Sequence, residues 1–551
     1  MSSCSPKTES SYSRFARDPN DGRSEHSYDV PMTMIDRDGS KLYENDRLEL
    51  LLSIVSENDT SALEQYLIIA PWAVPSKPPW VEEYETSGLE DEIFFLTTYH
   101  GYLNMLRMLL GHCAQGEDAT TRIRFSYMRK ALLNDASRWG HPEMVRFLLE
   151  NQPMYASIHE RDPEGETAIL SATNLHGFQF TNNLHEEGFC LTKHEAVVHL
   201  LLDWGACATD GLFRAIDGQL IDTVLTLSVR WAGPRLIKRI IDSGADVHGK
   251  VAKGYRVHND PKIEVSALYS ACIHANIDAV KTLIECRGVN VDAVEMIRSQ
   301  DCRGCFALHW ATQFEPAGCD VRELNMANVI SIIKLLLDID PSTINAQDHQ
   351  GNTPLHHASG RLSQNKQCAA VFETLFMRGA DGTLLNNKGE TPLHTLLAPD
   401  PTSILDPLEV DTAAISAFLL HGMKVTDSEI DGNTPLHIAA RQVQHFRTVS
   451  YLLQRGGTAA LYVRNAQQDT PAHIAARADY WIEGWRTRAD DKIEIRDAML
   501  RKMVQVGGDG LMDWPNAEGK SPRQLCQEKA DEWREAEKGR DPDSWITEYA
   551  V

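Results

Sequence analysis

Apolar residues recur every three to four positions over most of the chain, in short blocks separated by polar, glycine-containing turns. Three of these blocks read V-F-E-T-L-F-M-R-G-A at 371–380, I-S-A-F-L-L-H-G-M at 415–423 and V-S-Y-L-L-Q-R-G-G at 449–457. Each block places apolar residues at i, i+3 and i+4, which is typical of a helix with one buried face. Each ends at a glycine, the residue that most often terminates a helix. The pattern predicts an all-α chain of short helices.

A second phrase precedes these helices and occurs four times. It reads D-H-Q-G-N-T-P-L-H-H-A from Asp348, N-K-G-E-T-P-L-H-T-L from Asn387, D-G-N-T-P-L-H-I-A-A from Asp431 and N-A-Q-Q-D-T-P-A-H-I-A-A from Asn465. Its prolines, at 354, 392, 435 and 471, lie 36 to 43 residues apart. A repeat of this length indicates stacked copies of one small unit. Such an array usually offers a long contact surface and not a catalytic pocket.

The phrase contains the signals that start a helix. Thr353 is placed to accept a hydrogen bond from the first turn, and Pro354 follows at the first helical position, where its missing N–H costs nothing. Gly351 suits a tight turn that needs positive φ. Because the histidine of the phrase recurs with the period, we interpret it as a structural bond to a loop backbone and not as a metal or acid–base group. These histidines are His356, His394, His437 and His473.

These residues resemble the ankyrin repeat, whose consensus carries T-P-L-H, a second helix and G-A-D before a β-hairpin finger. The match is specific from Asp301 to about Leu525 and weaker upstream. The resemblance implies an ankyrin-repeat solenoid of stacked helix-turn-helix units with short β-hairpin fingers, comprising about 10 to 12 repeats over residues 45–530. The clearest repeats are 162–207, 301–339, 348–381, 387–424, 431–459 and 465–509.

The segments outside the regular repeats carry weaker signals. Residues 1–44 hold few large apolar side chains and are expected to form a disordered tail, and they contain no apolar core of a secretory signal. Residues 531–551 are charged and read as a tail or a capping helix. Residues 211–227 read as a degenerate helix pair. Four insertions are left open as ordered or disordered and as possible carriers of specificity: 71–92, 174–192, 246–264 and 396–411.

Composition limits the partners and the compartment. The chain has 54 Lys and Arg against 78 Asp and Glu, a net charge of -24, which argues against nucleic acid and anionic membrane surfaces as partners. No run of 18 apolar residues predicts a membrane span. Eleven cysteines without framework spacing suggest reduced thiols. We therefore expect a cytoplasmic or nuclear protein that is not secreted.

One group of residues resembles a metal or redox site. Cys302 and Cys305 form C-x-x-C, with His309 and Cys319 nearby. Both cysteines of the pair occupy variable positions of the repeat turn, and no second C-x-x-C completes a site. We therefore expect no metal and no cofactor.

Other candidate motifs fail on spacing. The segment H-E-A-V-V-H at 194–199 separates its histidines by five residues, whereas a zinc protease needs i and i+4 on one helical face. Gly519-Lys520-Ser521 ends like a phosphate-binding loop, but Trp514 stands where that loop needs glycine. No catalytic residue is expected, and the chain is predicted not to be an enzyme.

Two further sets of side chains have open interpretations. A basic cluster reads as a solvated helix face, with docking of an acidic segment as the alternative. Five tryptophans in insertions or connections read as packing onto the stack, with interface anchoring as the alternative. The cluster is Arg230, Arg235, Lys238 and Arg239, and the tryptophans are Trp72, Trp80, Trp481, Trp485 and Trp514.

The resemblance implies a non-catalytic scaffold or adaptor that binds a protein partner through a concave groove. The acidic balance favours a partner with a basic segment. The alternatives are a regulator or accessory subunit of an enzyme or biosynthetic pathway, and a substrate receptor of a modification complex. By the resemblance, the contact residues at the finger tips would be Gln347, His349, Gln350, Asn387, Lys388, Glu429, Ile430, Gln467 and Gln468.

Overall fold

The structure is a computed structural model, and it describes most of the chain in segments. The described residues are 12–17, 32–36, 41–44, 47–69, 89–114, 131–175, 191–214, 216–253, 263–313, 322–362, 368–398, 410–442, 445–478 and 488–538. Predictions that concern Trp72, Trp80, Cys319, Trp481 and Trp485 lie outside these residues.

Helices account for most of the described residues, which is consistent with the all-α class predicted from the apolar spacing. The α-helices are α1 (Arg47–Ser56), α2 (Thr60–Ile69), α3 (Leu89–His100), α4 (Leu103–Cys113), α5 (Leu132–Arg138), α6 (Pro142–Glu150), α7 (Ala168–Thr173), α8 (Leu191–Asp203), α9 (Val224–Ser228), α10 (Pro234–Asp242), α11 (Ala267–Ile273), α12 (Ile277–Glu285), α13 (Ala293–Arg298), α14 (Ala307–Thr312), α15 (Arg322–Ile339), α16 (Pro354–Leu362), α17 (Cys368–Met377), α18 (Pro392–Leu397), α19 (Thr412–Leu420), α20 (Pro435–Ala439), α21 (Phe446–Leu461), α22 (Pro471–Arg477), α23 (Ala489–Gly507) and α24 (Pro522–Lys538). Two 3-10 helices span Pro341–Asn345 and Asp509–Asp513.

Short strands lie mainly in the first half of the chain. They are β1 (Tyr12–Arg17), β2 (Met32–Asp36), β3 (Lys41–Glu44), β4 (Gly211–Phe213), β5 (Leu220–Thr223), β6 (Lys250–Lys253) and β7 (Ile263–Ser266). β1, β2 and β3 pair antiparallel, with Phe15 opposite Met34 and Met34 opposite Leu42. These three strands lie within residues 1–44, for which a disordered tail was expected, and the remainder of that range lies outside the described residues. Composition counts apolar side chains and does not register the backbone pairing of strands.

The stretch 211–227 also differs from its expected helix pair. β4 and β5 form an antiparallel hairpin around Gly218, whose φ is +65°, and only the short helix α9 follows. The hairpin pairs Leu212 with Asp222, so the apolar spacing that suggested a first helix belongs to a strand.

The chain divides into two compact units, Met1–Ala252 and Lys253–Val551. In the first unit, α1, α3, α5, α7 and α9 contact one another in sequence, and α6, α8 and α10 form a second series. In the second unit, α11, α14, α16, α18, α20, α22 and α24 form one series, while α12, α15, α17 and α19 form another. Within each compact unit, every helix of a series therefore packs on the corresponding helix of the next repeat.

The core of the second unit lies between these two series. Leu355 and Ala358 are buried on the same face of α16, as their spacing predicts. The rings of Phe372 on α17 and Phe418 on α19 meet edge to face, with centroids 4.8 Å apart. Fully burying a side chain of this size contributes about 1.5 to 3 kcal/mol.

The last helix crosses the boundary expected at residue 530. α24 continues to Lys538 and contacts α22 and α23. Its Trp533 is 9% exposed and lies under the guanidinium of Arg496, 5.3 Å from the ring centroid. Residues 531–538 therefore continue a packed helix.

Candidate functional site

Six turns of the second unit share one hydrogen-bond pattern, and we call them fingers. They span 301–306, 348–353, 386–391, 429–434, 465–470 and 516–521, and we number their residues as positions 1 to 6. At position 1 a side-chain oxygen accepts from the backbone N–H groups of positions 3 and 5. In the second finger, Asp348 Oδ1 lies 2.8 Å from both Gln350 N and Asn352 N. Each finger is thus a closed turn, and none of the six contains an assigned strand, unlike the β-hairpins that were expected.

Position 4 of the finger has positive φ and is glycine in five of the six fingers. At Gly351 the φ angle is +77°, and a Cβ there would lie 2.8 Å from the backbone nitrogen of Asn387 in the next finger. Glycine is therefore required both for the turn and for the close approach of its neighbour. In the fifth finger Gln468 takes this position, with φ of +59°.

Successive fingers are joined by backbone hydrogen bonds, which we call the finger ladder. In each case the N–H of position 2 donates to the carbonyl of position 3 in the preceding finger. The bonds run from His349 N to Arg303 O (2.8 Å), Asn387 N to Gln350 O (2.9 Å), Ile430 N to Lys388 O (3.4 Å), Ala466 N to Asp431 O (2.8 Å) and Ala517 N to Gln467 O (3.1 Å). The ladder fixes the backbone of the tips and leaves the side chains of positions 2 and 3 outside it.

The recurring histidines join the base of each finger to the next. His356 Nδ1 accepts from Thr353 N at 3.2 Å, and its Nε2 donates to the carbonyl of Glu390 at 3.0 Å. Burial lowers the pKa of His356 and of His437 to about 4, so both rings are neutral near pH 7. With both nitrogens engaged, neither ring is available to a metal or substrate. The interpretation of these histidines as structural bonds is confirmed.

Six of the nine predicted tip residues lie at positions 2 and 3 and are exposed. These are His349, Gln350, Asn387, Lys388, Ile430 and Gln467. In two fingers only one tip residue was predicted: Gln467 was named without its neighbour Ala466, and Ile430 without its neighbour Asp431. Aligning the fingers on position 4 instead of on the threonine would have found both.

The other three predicted tip residues have different places. Gln347 precedes its finger, and its Nε2 donates to the carbonyls of Gly351 and Leu385. Glu429 is a position 1 residue: its carboxylate accepts from Asp431 N at 2.9 Å and from Asn433 N at 3.2 Å. Gln468 holds the glycine position. Glutamate can replace the usual Asp or Asn because its longer side chain still reaches both N–H groups.

A pocket of about 400 Å³ lined by residues with polar side chains lies beside the second and third fingers. It includes three of the predicted tip residues and adds Asn352, Asn386, Glu390 and Thr395. Asn386 Nδ2 donates to Asn352 Oδ1 at 3.1 Å and to Glu390 Oε2 at 2.9 Å, which orients the amides. The predicted residues in its lining are Gln350, Asn387 and Lys388.

The lining of the pocket contains one basic and one acidic side chain. Lys388 and Glu390 are the ionisable residues of its lining. No described residue forms an ion pair with Lys388, whose ammonium group extends from an exposed tip. Amides with one cation and one anion suit hydrogen bonding to the backbone of an extended peptide.

The C-x-x-C pair does not form the site considered from the sequence. Cys302 is exposed, whereas Cys305 is fully buried. His309 Nδ1 accepts from Phe306 N, and its Nε2 lies 3.1 Å from the carbonyl of Ala346. The thiol of Cys305 lies instead 3.8 Å from Asp348 Oδ2.

The zinc-protease-like segment has separate structural contacts. Buried His194 lies with Nε2 3.0 Å from the carbonyl of Arg138, and Glu195 accepts from Gly233 N at 2.6 Å. His199 Nδ1 lies 2.9 Å from Arg239. Residues 519–521 belong to the sixth finger, where Asn516 Oδ1 accepts from Lys520 N at 3.0 Å.

The basic cluster is divided between the interior and the surface. Arg230 is buried and pairs with Asp222, contrary to its reading as part of a solvated face. Arg239 pairs with Asp203, while Arg235 and Lys238 are exposed. The sequence shows four cations in ten residues but not the distant carboxylates that they meet.

Trp514 packs onto the second unit. Its ring lies 5.0 Å from that of Tyr462 and 5.0 Å from the guanidinium carbon of Arg464, and its carbonyl accepts from His473 Nε2. This geometry matches the packing interpretation of that tryptophan.

The comparisons with known proteins agree with the finger geometry. The family model of the ankyrin repeat matches residues 431–466, which contain the fourth finger and helices α20 and α21. The chain is therefore an ankyrin-repeat-containing protein. It is also similar to an intracellular phospholipase A2 of Caenorhabditis elegans, at 28% identity over 153 residues. That match covers 27% of this chain and 13% of the relative. Among the described residues, no helix combines the length and apolar character needed to cross a bilayer.

Proposed function

We propose that this chain is a multi-repeat ankyrin solenoid that acts as a scaffold or adaptor by binding a protein partner through the groove lined by its fingers. The match at 431–466 covers one repeat. The same turn, histidine bond and ladder contact recur in the fingers before and after it. Repetition of the local geometry supports extending the assignment beyond the matched residues.

The finger ladder is the observation that carries the proposal. It holds consecutive tips through backbone bonds, to which Asn387 Nδ2 adds a side-chain bond by donating to the carbonyl of His349 at 3.0 Å. The ladder bonds themselves involve no side chain, which leaves most of the exposed tip side chains outside them. A surface whose backbone is already ordered loses little conformational entropy when a partner binds. The pocket between the second and third fingers gives this surface a place for a peptide segment.

The partner we propose is a protein with a basic, extended segment. The excess of 24 negative charges on the chain would steer such a segment toward it. Within the pocket, Glu390 would face a cation and the amides would bond to the peptide backbone. Lys388 would reject a lysine or arginine placed next to it and so set the register.

We further propose that the chain is not itself an enzyme. The buried histidines of the fingers, exemplified by His356 and His437, use both ring nitrogens and cannot serve as general bases. The similarity to a phospholipase A2 covers only 13% of that relative. Purified chain should release no fatty acid from phospholipid vesicles, and turnover above that of a heat-unfolded sample would contradict this part of the proposal.

Charge reversal at the tips tests the binding surface. The purified chain should recover a stoichiometric protein partner from native extract. Titration with that partner should be weakened roughly tenfold by Asp431→Lys, whereas Lys388→Glu removes a repulsion and should not weaken binding. Glu373→Lys, at an exposed position of α17 outside the fingers, is the matched control and should bind normally. Equal affinity of the Asp431→Lys variant and the parent chain would overturn the groove proposal.

A further inference from the structure

Three metal-ligating side chains, from two consecutive fingers and from the helix α16 that follows the second one, converge in the second unit. Cys305 Sγ, Asp348 and His357 each offer one ligand atom, and these atoms lie within 4.8 Å of one another. Asp348 Oδ2 is 3.8 Å from Cys305 Sγ and 2.9 Å from His357 Nε2. Cys305 is fully buried, Asp348 is 8% exposed and the His357 side chain is 15% exposed.

The repeat does not require this set of residues. Position 5 of the finger, occupied here by Cys305, is Asn, Glu, Asp or Lys in the other five fingers. The residue after the recurring histidine, here His357, is Thr395, Ile438 and Ile474 in the next three repeats. The finger itself uses only Oδ1 of Asp348, which leaves Oδ2 for the other two side chains. The convergence is thus particular to one junction between fingers.

The donor set fits zinc. Thiolate, imidazole and carboxylate are the three common zinc ligands, and tetrahedral bonds of their usual lengths place neighbouring ligand atoms about 3.3 to 3.8 Å apart. The separation from Asp348 to Cys305 already matches, and that from Asp348 to His357 needs to open by only a few tenths of an ångström. A thiolate and a carboxylate together neutralise a divalent ion, which makes its burial acceptable.

The surroundings hold the ligands in place. Asp348 Oδ1 accepts two backbone N–H groups of its own finger, which fixes the carboxylate. Hydrogen bonds to the remaining atoms of a ligand commonly orient it for a metal. Burial raises the pKa of the Cys305 thiol, and the charge of Arg303 offsets part of that rise. Metal binding would therefore release the thiol proton to solvent.

We propose that Cys305, Asp348 and His357 bind a zinc ion and thereby join the first finger to the second. His309 is excluded as the fourth ligand because both of its nitrogens are engaged with the backbone. A water molecule reached past the partly exposed edge of His357 would complete the coordination. The ion would act where the finger ladder begins, at the bond from His349 to Arg303.

Cobalt(II) is the probe for this site because a cobalt–thiolate bond has a near-ultraviolet charge-transfer band and tetrahedral cobalt absorbs strongly in the visible. Full-length chain freed of metal by chelation is titrated with Co²⁺ alone. We expect one ion per chain, the sulfur-to-cobalt band, and loss of both absorptions when Zn²⁺ is added. Absence of the band at millimolar Co²⁺ would overturn the proposal.

Variants assign the ligands. Cys305→Ser should abolish the band. His357→Gln should weaken Co²⁺ binding by roughly a hundredfold, because loss of a ligand should cost at least as much as loss of a residue that only hydrogen-bonds to a ligand. Cys302→Ser changes an exposed thiol in the same finger and should bind Co²⁺ normally. Circular dichroism checks folding, and the partly exposed His357 gives a second test if Cys305→Ser does not fold. A band that survives both ligand variants, or that Cys302→Ser removes, would contradict the assignment.

Discussion

His437 Nε2 donates a hydrogen bond to the carbonyl oxygen of Asp469, 3.1 Å away and one finger further along the chain. The direction of the bond follows from the other side of the ring, where Nδ1 lies 3.1 Å from the backbone N–H of Thr434 and can only accept. A second proton on the ring, at Nδ1, would point at the Thr434 N–H and abolish this hydrogen bond. The bond between repeats therefore depends on a neutral imidazole.

This relationship predicts that acid weakens the second unit. Burial lowers the pKa of His437 to about 4; Asp469 and Glu429 favour its protonation and Arg441 opposes it. In the unfolded chain the pKa is near 6.5. The histidine's contribution to stability is therefore complete above pH 6.5 and is lost as the pH falls from 6.5 to 4, by up to an amount on the order of 3 kcal/mol. Urea unfolding at pH 7.5, 6.0 and 4.5 measures the fall.

His437→Gln separates this group from the other titrating residues. The sixth finger shows that glutamine can take the same bond, since Ser521 N donates to Gln524 Oε1 at 2.9 Å. The variant should be less stable than the parent at pH 7.5, and the difference should shrink toward pH 4.5. Parallel stability curves for the two proteins would show that His437 does not titrate as proposed.

Substitution of Gly351 by alanine should be more damaging than the same change at Gly379. Both residues have positive φ, of +77° and +93°, and an alanine there costs about 1 to 2 kcal/mol. At Gly351 the new Cβ would also lie 2.8 Å from the backbone of Asn387, whereas at Gly379 nothing lies within 4 Å. We expect Gly351→Ala to lower the free energy of unfolding by about 1 to 3 kcal/mol more than Gly379→Ala does, which is the usual range for overpacking.

The measurement is the urea midpoint of each variant. Hydrogen exchange of the Asn387 amide adds a local readout, because its ladder bond to Gln350 O should weaken in Gly351→Ala and stay intact in Gly379→Ala. Equal urea midpoints for the two variants would mean that the second and third fingers can move apart at Gly351 without loss of stability.

Features encoded within a few residues could be predicted from the sequence. The Thr–Pro start of α20, the positive φ of Gly432 and the interaction of His437 with a loop backbone all depend on contacts inside one phrase or with its next copy. The tips were harder, because Glu429 takes the place of the usual Asp or Asn and so shifts the apparent start of its finger.

Features that depend on how successive repeats stack on one another were not predicted. Cys305 and Asp348 are 43 residues apart, and they meet only because position 5 of one finger stacks on position 1 of the next. The sequence drew attention to Cys302 and His309 instead, since these lie close to Cys305 along the chain. Aligning successive fingers by position would have exposed the thiol opposite the carboxylate and the neighbouring His357.

A core aromatic pair gives a third prediction. Phe418 is fully buried against Phe372 and Phe376, so Phe418→Ala should lower the free energy of unfolding by about 3 to 5 kcal/mol. Leu420 lies two residues further along α19 and is 80% exposed, so Leu420→Ala should change it by less than about 0.5 kcal/mol. Thermal unfolding of both variants decides between this account and one in which α19 packs loosely.

Arg230 provides the last prediction, in the first unit. Its buried guanidinium pairs with Asp222 and donates to the carbonyl of Thr226 at 3.2 Å, so Arg230→Met would leave a carboxylate without its counter-charge. Removing one member of such a pair costs about 3 to 5 kcal/mol. Adding Asp222→Asn should recover part of the loss, while Arg235→Met, at an exposed position, should stay within about 0.5 kcal/mol of the parent. Thermal midpoints that fall equally in Arg230→Met and Arg235→Met would show that the buried pair is not what stabilises α9.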